Sequence, residues 1–409
     1  MTGLFPPLPE ETRIILNSLP SLIDKVLPMP KRFRAGLPRD IADLSQLLTS
    51  ERSELGVSYL EKPAMLSAYL RYFLPWNIYR LSRLFSSLPL ELKPGDALND
   101  IGAGPLTLPI SLWISRSDLR SIPLEIRCID RSAAVLEAGK KLFTALSAEV
   151  NCQWTVKTIR GEVRRNGSLS TEIRGKPAAL SAAVNLFNEL YWDFSPVDTD
   201  RLNRFAEQQA RLLSSITEDS GSVLVVEPGI PRSGQFISLL RSSLIKLKRH
   251  SLSPCTHGNS CPMPGGQNPV SGKLKWCHFA FDTEDAPEIL QKLSLDAKIP
   301  KERAVLSFIF AGSVSQEKQL AGARKERSKE HSKTPEKIRV VSDSFPLGSG
   351  RSASSWGRYG CCGQGLVLVT GDRHILETSP SGAMEELPLA SDQKDAKSNA
   401  FIAVKKQKS

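Results

Sequence analysis

Seven cysteines occur in the 409 residues, and they are unevenly placed. Cys128 and Cys152 sit in apolar, strand-like stretches. Cys255, Cys261, Cys277, Cys361 and Cys362 stand among turn-forming residues. The first three of these five share SPCTHGNSCPMPGGQNPVSGKLKWCHFAFD, residues 253–282, which has no hydrophobic period and reads as a loop. The spacing is Cys255-x5-Cys261-x15-Cys277, followed by 83 residues to Cys361. Gathered thiolates suit zinc or an iron–sulfur cluster. Zinc ribbons favour C-x2-C, and radical S-adenosylmethionine enzymes need C-x3-C-x2-C; neither occurs. Longer intervals suit a cluster, whose corners stand further apart than the ligands of one ion, but spacing leaves both metals open. His257 and His278 stand beside cysteines and either ligate zinc, orient the loop or donate to a sulfide. Cys361 and Cys362 are neighbours, so in an extended chain they point to opposite sides, and only one reaches the site.

A second group of residues has the chemistry of nucleoside binding. NDIGAGPLTL, residues 99–108, puts Asp100, Gly102 and Gly104 at a strand-to-helix turn, where glycine lets the backbone approach a ligand. Asp130 ends the next strand in RCIDRS, a position from which a carboxylate reaches ribose hydroxyls. A dinucleotide site wants a third glycine where this chain has Thr107, and free N–H groups where it has Pro105. S-adenosylmethionine has no phosphate to cradle and suits the pattern better; a purely structural turn is the plain alternative. In VNLFNELYW, residues 184–192, Asn185, Asn188 and Glu189 fall where an acceptor would be met. Asn188 and Glu189 also read as helix-cap residues. The Asn-Pro-Pro-aromatic signature of amino methylation is absent, as is a Pro-Cys nucleophile at this strand end. No residue stands out as a general base.

The elements that must hold these groups follow from periodicity. Residues 1–92 read as a helical region, with ETRIILNSLPSLIDKVL and a longer helical pattern over 58–90 interrupted near Pro75. Arg71, Arg80 and Arg83 on that pattern either pack a helix pair against the next domain or form an RNA-facing strip; packing is the preferred reading. Residues 93–250 alternate short apolar strands with helices, the mark of βαβ units and a mostly parallel sheet. The cysteine loop, 251–282, comes next. Residues 283–387 read as a small β-rich C-terminal part with a charged, flexible insert at 314–337, and 388–409 as a disordered, Lys-rich tail. The expected class is therefore α/β.

The 54 Lys and Arg exceed the 43 Asp and Glu, giving a formal charge of +11 that favours a polyanionic partner. No run is long and apolar enough to span a membrane. The opening residues lack the features of a signal or transit peptide, and clustered cysteines in a long chain fit a reducing cytoplasm.

In order along the chain, AYLRYFLPWNIYRLSRL, DIGAGPLTLPISLW, VNLFNEL, VVEPGIPRSGQFI, SPCTHGNSCPM, WCHF and IRVVSDSFP resemble the methyltransferase-like assembly proteins of the small ribosomal subunit, known in mitochondria and with bacterial relatives. The resemblance runs over roughly residues 55–375. It implies a Rossmann-like class I methyltransferase domain and a 4Fe–4S site with Cys255, Cys261, Cys277 and Cys361 as ligands, Cys362 in reserve. It also implies an S-adenosylmethionine crevice at Gly102, Gly104 and Asp130, to which the strand-end reading adds Asp100 and Asn188 as cofactor-binding residues. The implied partners are the small subunit and its rRNA; the opening residues, which do not read as a transit peptide, point to a bacterial cytoplasm, and a monomer is expected. An assembly role without required catalysis follows from the family. An active rRNA methyltransferase is the alternative, and a zinc-stabilised small-molecule methyltransferase a third.

Overall fold

The computed structural model describes residues 3–49, 59–148, 152–195, 198–267, 274–317, 335–347 and 355–406. Its centre is a sheet of β1 (Asp96–Ile101), β2 (Leu124–Asp130), β3 (Trp154–Arg160), β4 (Ala178–Val184), β5 (Thr217–Pro228) and β6 (His250–Ser253). A short hairpin, β7 (Pro264–Gln267) and β8 (Leu274–Trp276), precedes the sheet's last two strands, β9 (Phe279–Asp282) and β10 (Arg303–Gly312). The strand order is β3-β2-β1-β4-β5-β10-β6, with β9 pairing on β10. The first five strands are parallel; β10 runs antiparallel to both β5 and β6. That order, with one reversed strand inserted next to the edge, is the class I methyltransferase sheet. Its middle strands are near-continuous apolar runs because helices cover both faces. In β1, for example, every residue after Asp96 is buried.

The central sheet therefore runs past residue 250, where the sequence suggested a boundary. β6, β9 and β10 belong to it, and the loop residues between them hang from its edge. The reason lies in β10: RAVLSFIFAG is an apolar strand that finds both its partners, β5 and β6, earlier in the chain.

The N-terminal region is helical, as expected, but it is not an appendage. Helix Glu10–Val26 packs on helices Thr107–Ser115 and Ala133–Ser147. Leu4, Phe5 and Leu8 join the same core as the sheet, and Phe5 stacks on Phe281 with ring centroids 4.8 Å apart. The long helical pattern continues through Pro75 instead of breaking there. Helix Pro63–Ala68 passes into a π-helical turn, Tyr69–Phe73, and then into helix Leu74–Phe85 with Pro75 in its first turn. The wider turn accommodates a ring that would otherwise collide with the carbonyl four residues back. The arginines are held inside the protein. Arg71 pairs with Asp24 at 2.8 Å, Arg83 with Asp285 at 2.6 Å, and Arg80 donates to the Val305 carbonyl at 3.0 Å.

The C-terminal sheet comprises β11 (Glu336–Val340), β12 (Phe345–Pro346), β13 (Trp356–Cys362), β14 (Gly365–Gly371), β15 (Met384–Leu387), β16 (Leu389–Lys394) and β17 (Phe401–Val404). Its order is β15-β11-β13-β14-β17-β16, with β12 on β13. Two expectations change here. The segment read as a disordered tail supplies β16 and β17; β17 lies parallel to β14, and Ala400 and Ala403 are fully buried. The short apolar run AFIAV was hidden by its Lys-rich surroundings. The charged insert is ordered at its ends, with Val314 to Glu317 helical and β11 beginning at Glu336; residues 318–334 lie outside the described residues.

Candidate functional site

At the carboxyl ends of β1, β2 and β4 lies a cavity of about 300 Å³. Gly102 and Gly104, both with positive φ (71° and 52°), form its floor where β1 turns towards helix Thr107–Ser115. Only glycine meets those dihedrals without strain, and at Gly102 a Cβ would also stand 2.6 Å from Leu186. The turn is tied to β2: the amides of Gly102 and Ala103 donate to the Ile129 carbonyl at 2.8 and 3.0 Å. Asp130 receives the Gly104 amide on Oδ2 and the Ser132 amide on Oδ1, both at 2.9 Å. Its carboxylate is thereby fixed at the cavity wall with lone pairs left for a ligand. The helix that follows comes unusually close, because Gly139 has no side chain; a Cβ there would lie 2.3 Å from the Pro105 carbonyl carbon. Close helix packing, which a third glycine would provide in a dinucleotide turn, is thus supplied from the next helix.

Gly102, Gly104 and Asp130 line the cavity, whereas Asp100 and Asn188 do not. Asp100 is 1% exposed beneath the turn; burial, and then the neighbouring Asp130 charge, push its carboxyl well above the usual carboxylate range. Asn188 is also 1% exposed, because its chain is drawn inward by Glu227. That fully buried carboxylate at the end of β5 receives the amide of Phe187 at 2.8 Å and that of Asn188 at 3.1 Å. Glu227 was not singled out from the sequence; an acid ending an apolar strand was the available signal. Asn185, at φ 53°, and Glu189 do line the cavity; Glu189 receives the Tyr59 hydroxyl at 3.5 Å and lies 3.9 Å from Arg131. Tyr69 faces the same cavity, its phenol held above its ordinary range by burial and by the Glu189 and Asp130 charges.

Cys261, Cys277 and Cys361 belong to the part of the main core at the seam between the two sheets. Burial raises the thiols of Cys261, Cys277 and Cys361; Cys255 adds to the rise at each, Cys261 and Cys361 add to it at Cys277, and Cys261 and Cys362 add to it at Cys361. Alternation along β13 separates the neighbours: Cys361 joins the main core with Cys261 and Cys277, while Cys362 is fully buried in a second core with Ile338, Val367 and Val369. Polar bonds cross the seam around them. His257 Nε2 is 3.3 Å from Cys361 Sγ, Asn259 donates to the Gly363 carbonyl at 2.8 Å, and Arg339 donates to the Pro254 carbonyl at 3.0 Å. His278 stacks on Trp276 at 4.7 Å instead of joining the thiols through its ring. Among the described residues, no three His, Cys, Asp or Glu side chains are grouped as ligands for a metal ion.

Known structures resemble the chain only distantly. Geranyl diphosphate C-methyltransferase from Streptomyces coelicolor A3(2), bound to S-adenosyl-L-homocysteine, is 11% identical over 58% of this chain and 79% of its own (TM-score 0.30). A methyltransferase from Geobacter sulfurreducens, also with S-adenosyl-L-homocysteine, is 12% identical over 58% and 91% (TM-score 0.30). A putative sarcosine dimethylglycine methyltransferase from Galdieria sulphuraria is 12% identical over 67% and 98% (TM-score 0.30). The fold assignment stands on the strand order, not on these. No curated protein sequence matches the chain. The family model described as mitochondrial small ribosomal subunit Rsm22 matches residues 88–343. With more than half of its length in that match, the chain belongs to the Rsm22 family.

Proposed function

We propose that this protein is an assembly factor of the small ribosomal subunit. In this reading it engages the subunit's rRNA, as a monomer in a bacterial cytoplasm, and holds S-adenosylmethionine in the crevice and a 4Fe–4S cluster at the seam. The family ties the chain to the small ribosomal subunit, and the net charge of +11 favours an RNA partner. For the nucleoside, Asp130 would receive the ribose hydroxyls and the Gly102–Gly104 turn would lie along the cofactor. The single observation that supports the metal reading is that cysteines from the loop, from beside β8 and from β13 face one seam, where the loop's His257 comes within 3.3 Å of Cys361. Such an all-sulfur donor set suits zinc or iron–sulfur chemistry. The family resemblance implies the larger core, with Cys255, Cys261, Cys277 and Cys361 as its ligands. The cluster, when bound, would supply a structural joint between the sheets.

Three measurements on anaerobically purified protein test this. Iron and acid-labile sulfide should be present in equal amounts. S-adenosylmethionine should bind, and Asp130→Ala should weaken it by roughly tenfold or more, the loss of a charge-assisted hydrogen bond. The protein should sediment with small-subunit particles at low salt and leave them as salt rises. Zinc in place of iron would sink the cluster, and failure to sediment would sink the assembly role. Asn185 and Glu189 at the cavity's acceptor side support the second reading, an active rRNA methyltransferase. Transfer of labelled methyl to small-subunit particles would establish it.

A further inference from the structure

A second cavity, of about 470 Å³, opens between helix Leu74–Phe85 and the start of β10, and its walls include Trp76, Arg80, Lys301, Glu302 and Arg303. Its three cations stand differently. Arg303 is neutralised by Asp343, which accepts from one of its terminal nitrogens at 2.9 Å. Arg80 donates to the Val305 carbonyl at 3.0 Å and to the Asn77 side-chain oxygen, neither of which carries charge. Lys301 holds its Nζ over the rings of Tyr72 and Trp76, 5.6 and 5.5 Å from their centroids. Among the described residues no Asp or Glu pairs with Arg80 or Lys301; Glu302 lines the cavity without pairing with them. Lys301 is exposed as a residue, yet desolvation of its ammonium and then the Arg80 charge hold that group below its ordinary value.

Two like charges on one cavity repel, and an oxyanion between them turns the repulsion into attraction. Arg80 has donors left for it, because a guanidinium carries five N–H groups and the two recorded bonds use two of them. A phosphodiester offers two charged oxygens, one for each cation, and a polyanionic strand is what a net charge of +11 favours. The cavity also adjoins the nucleoside crevice: Asn77, which accepts from Arg80, is among the crevice's lining residues. We propose that this second cavity is a phosphate site for RNA, in which Lys301 and the free donors of Arg80 hold one backbone phosphate of a strand that runs beside the crevice. This rests on the reading that the chain engages rRNA.

The experiment compares the full-length wild type with Lys301→Gln, which removes the charge, and Lys301→Arg, which keeps it. The probes are labelled single-stranded oligoribonucleotides of two unrelated sequences, read by fluorescence anisotropy across a salt series, and inorganic phosphate, read by calorimetry. Lys301→Gln should bind both RNAs roughly fivefold more weakly near 0.1 M salt, and its slope of log affinity against log salt should be shallower by about 0.7, the value of one phosphate contact on a single strand. The loss should be the same for both sequences, because a phosphate contact does not read bases. Lys301→Arg should stay near wild type, and all three proteins should bind S-adenosylmethionine alike. An unchanged RNA affinity and salt slope in Lys301→Gln overturns the proposal. If inorganic phosphate binding is lost in that variant while RNA binding is kept, the site belongs to a small phosphorylated ligand and the RNA proposal is again overturned. Sedimentation with small-subunit particles separates the two failures. Wild type and Lys301→Gln sedimenting alike, with equal RNA affinity, removes this site and leaves the assembly reading standing; a wild type that binds neither particles nor RNA removes both.

Discussion

Asp130 and the two cavity glycines come from adjoining strands of one sheet and are close in sequence, whereas Cys277 and Cys361 come from opposite sides of a seam between two sheets. The crevice is held by short-range backbone bonds: the glycine turn is pinned to the carbonyl of Ile129 and to Asp130. The seam is held by contacts between segments roughly a hundred residues apart, such as His257 to Cys361 and Asn259 to Gly363. Local turns can form as soon as β1 and β2 pair. The seam needs both sheets finished and docked. The crevice should therefore survive damage at the seam, and the seam should not survive the loss of its thiols.

The largest expected effect follows from that. Cys277→Ser should abolish metal incorporation and lower the melting temperature most, since structural metal binding contributes on the order of 10 kcal/mol in small sites. Limited proteolysis should then cut between the sheets while the crevice still binds S-adenosylmethionine; equal loss of both would break the contrast. Next comes Glu227→Ala, which leaves the buried amides of Phe187 and Asn188 without an acceptor. A loss of roughly 2–5 kcal/mol in urea unfolding is expected, and Glu227→Gln should lose about half as much because one acceptor remains. Gly139→Ala forces a methyl against the Pro105 backbone and should cost about 1–3 kcal/mol, again by urea unfolding. Gly102→Ala should cost about 1–2 kcal/mol from its positive φ, and should weaken nucleoside binding by calorimetry while leaving metal content unchanged.

The smallest effect is one of pH. Asp100 has a folded-state carboxyl raised above its unfolded value, so the native chain binds a proton that the unfolded chain releases. Its contribution is present at acid pH and is lost as pH rises from the unfolded carboxyl value through the raised one. Asp100→Asn should therefore gain on wild type steadily as pH rises through that window, measured by thermal melts across pH. Parallel melting curves at every pH would show that Asp100 is not buried as a neutral acid.

Much of this was legible in the residues. DIGAGP and the acid of RCID mark a turn and a wall because a positive φ and a strand-end carboxylate are local requirements. Cys255, Cys261 and Cys277 announce themselves by standing in a loop. Asn188 and Asp100 misled for one reason: a polar residue near a strand end can face the crevice or the interior, and the Glu227 bonds and the packing under the turn chose the interior. The strands β16 and β17 escaped notice because their apolar run is short and its stability comes from β14, which lies earlier in the chain.

By itself the sequence determined the βα alternation, the glycine turn, the acid that ends β2 and the supply of thiols. These depend on dihedral preference, periodicity and residue chemistry, all of which act over a few residues. Only the tertiary structure decided which of Cys361 and Cys362 faces the loop, that β6 and β10 complete the central sheet, and that Arg241 lies buried against the His257 carbonyl. Those outcomes depend on strand register and on the docking of two sheets, and distant contacts of that kind leave no pattern in a short window of sequence.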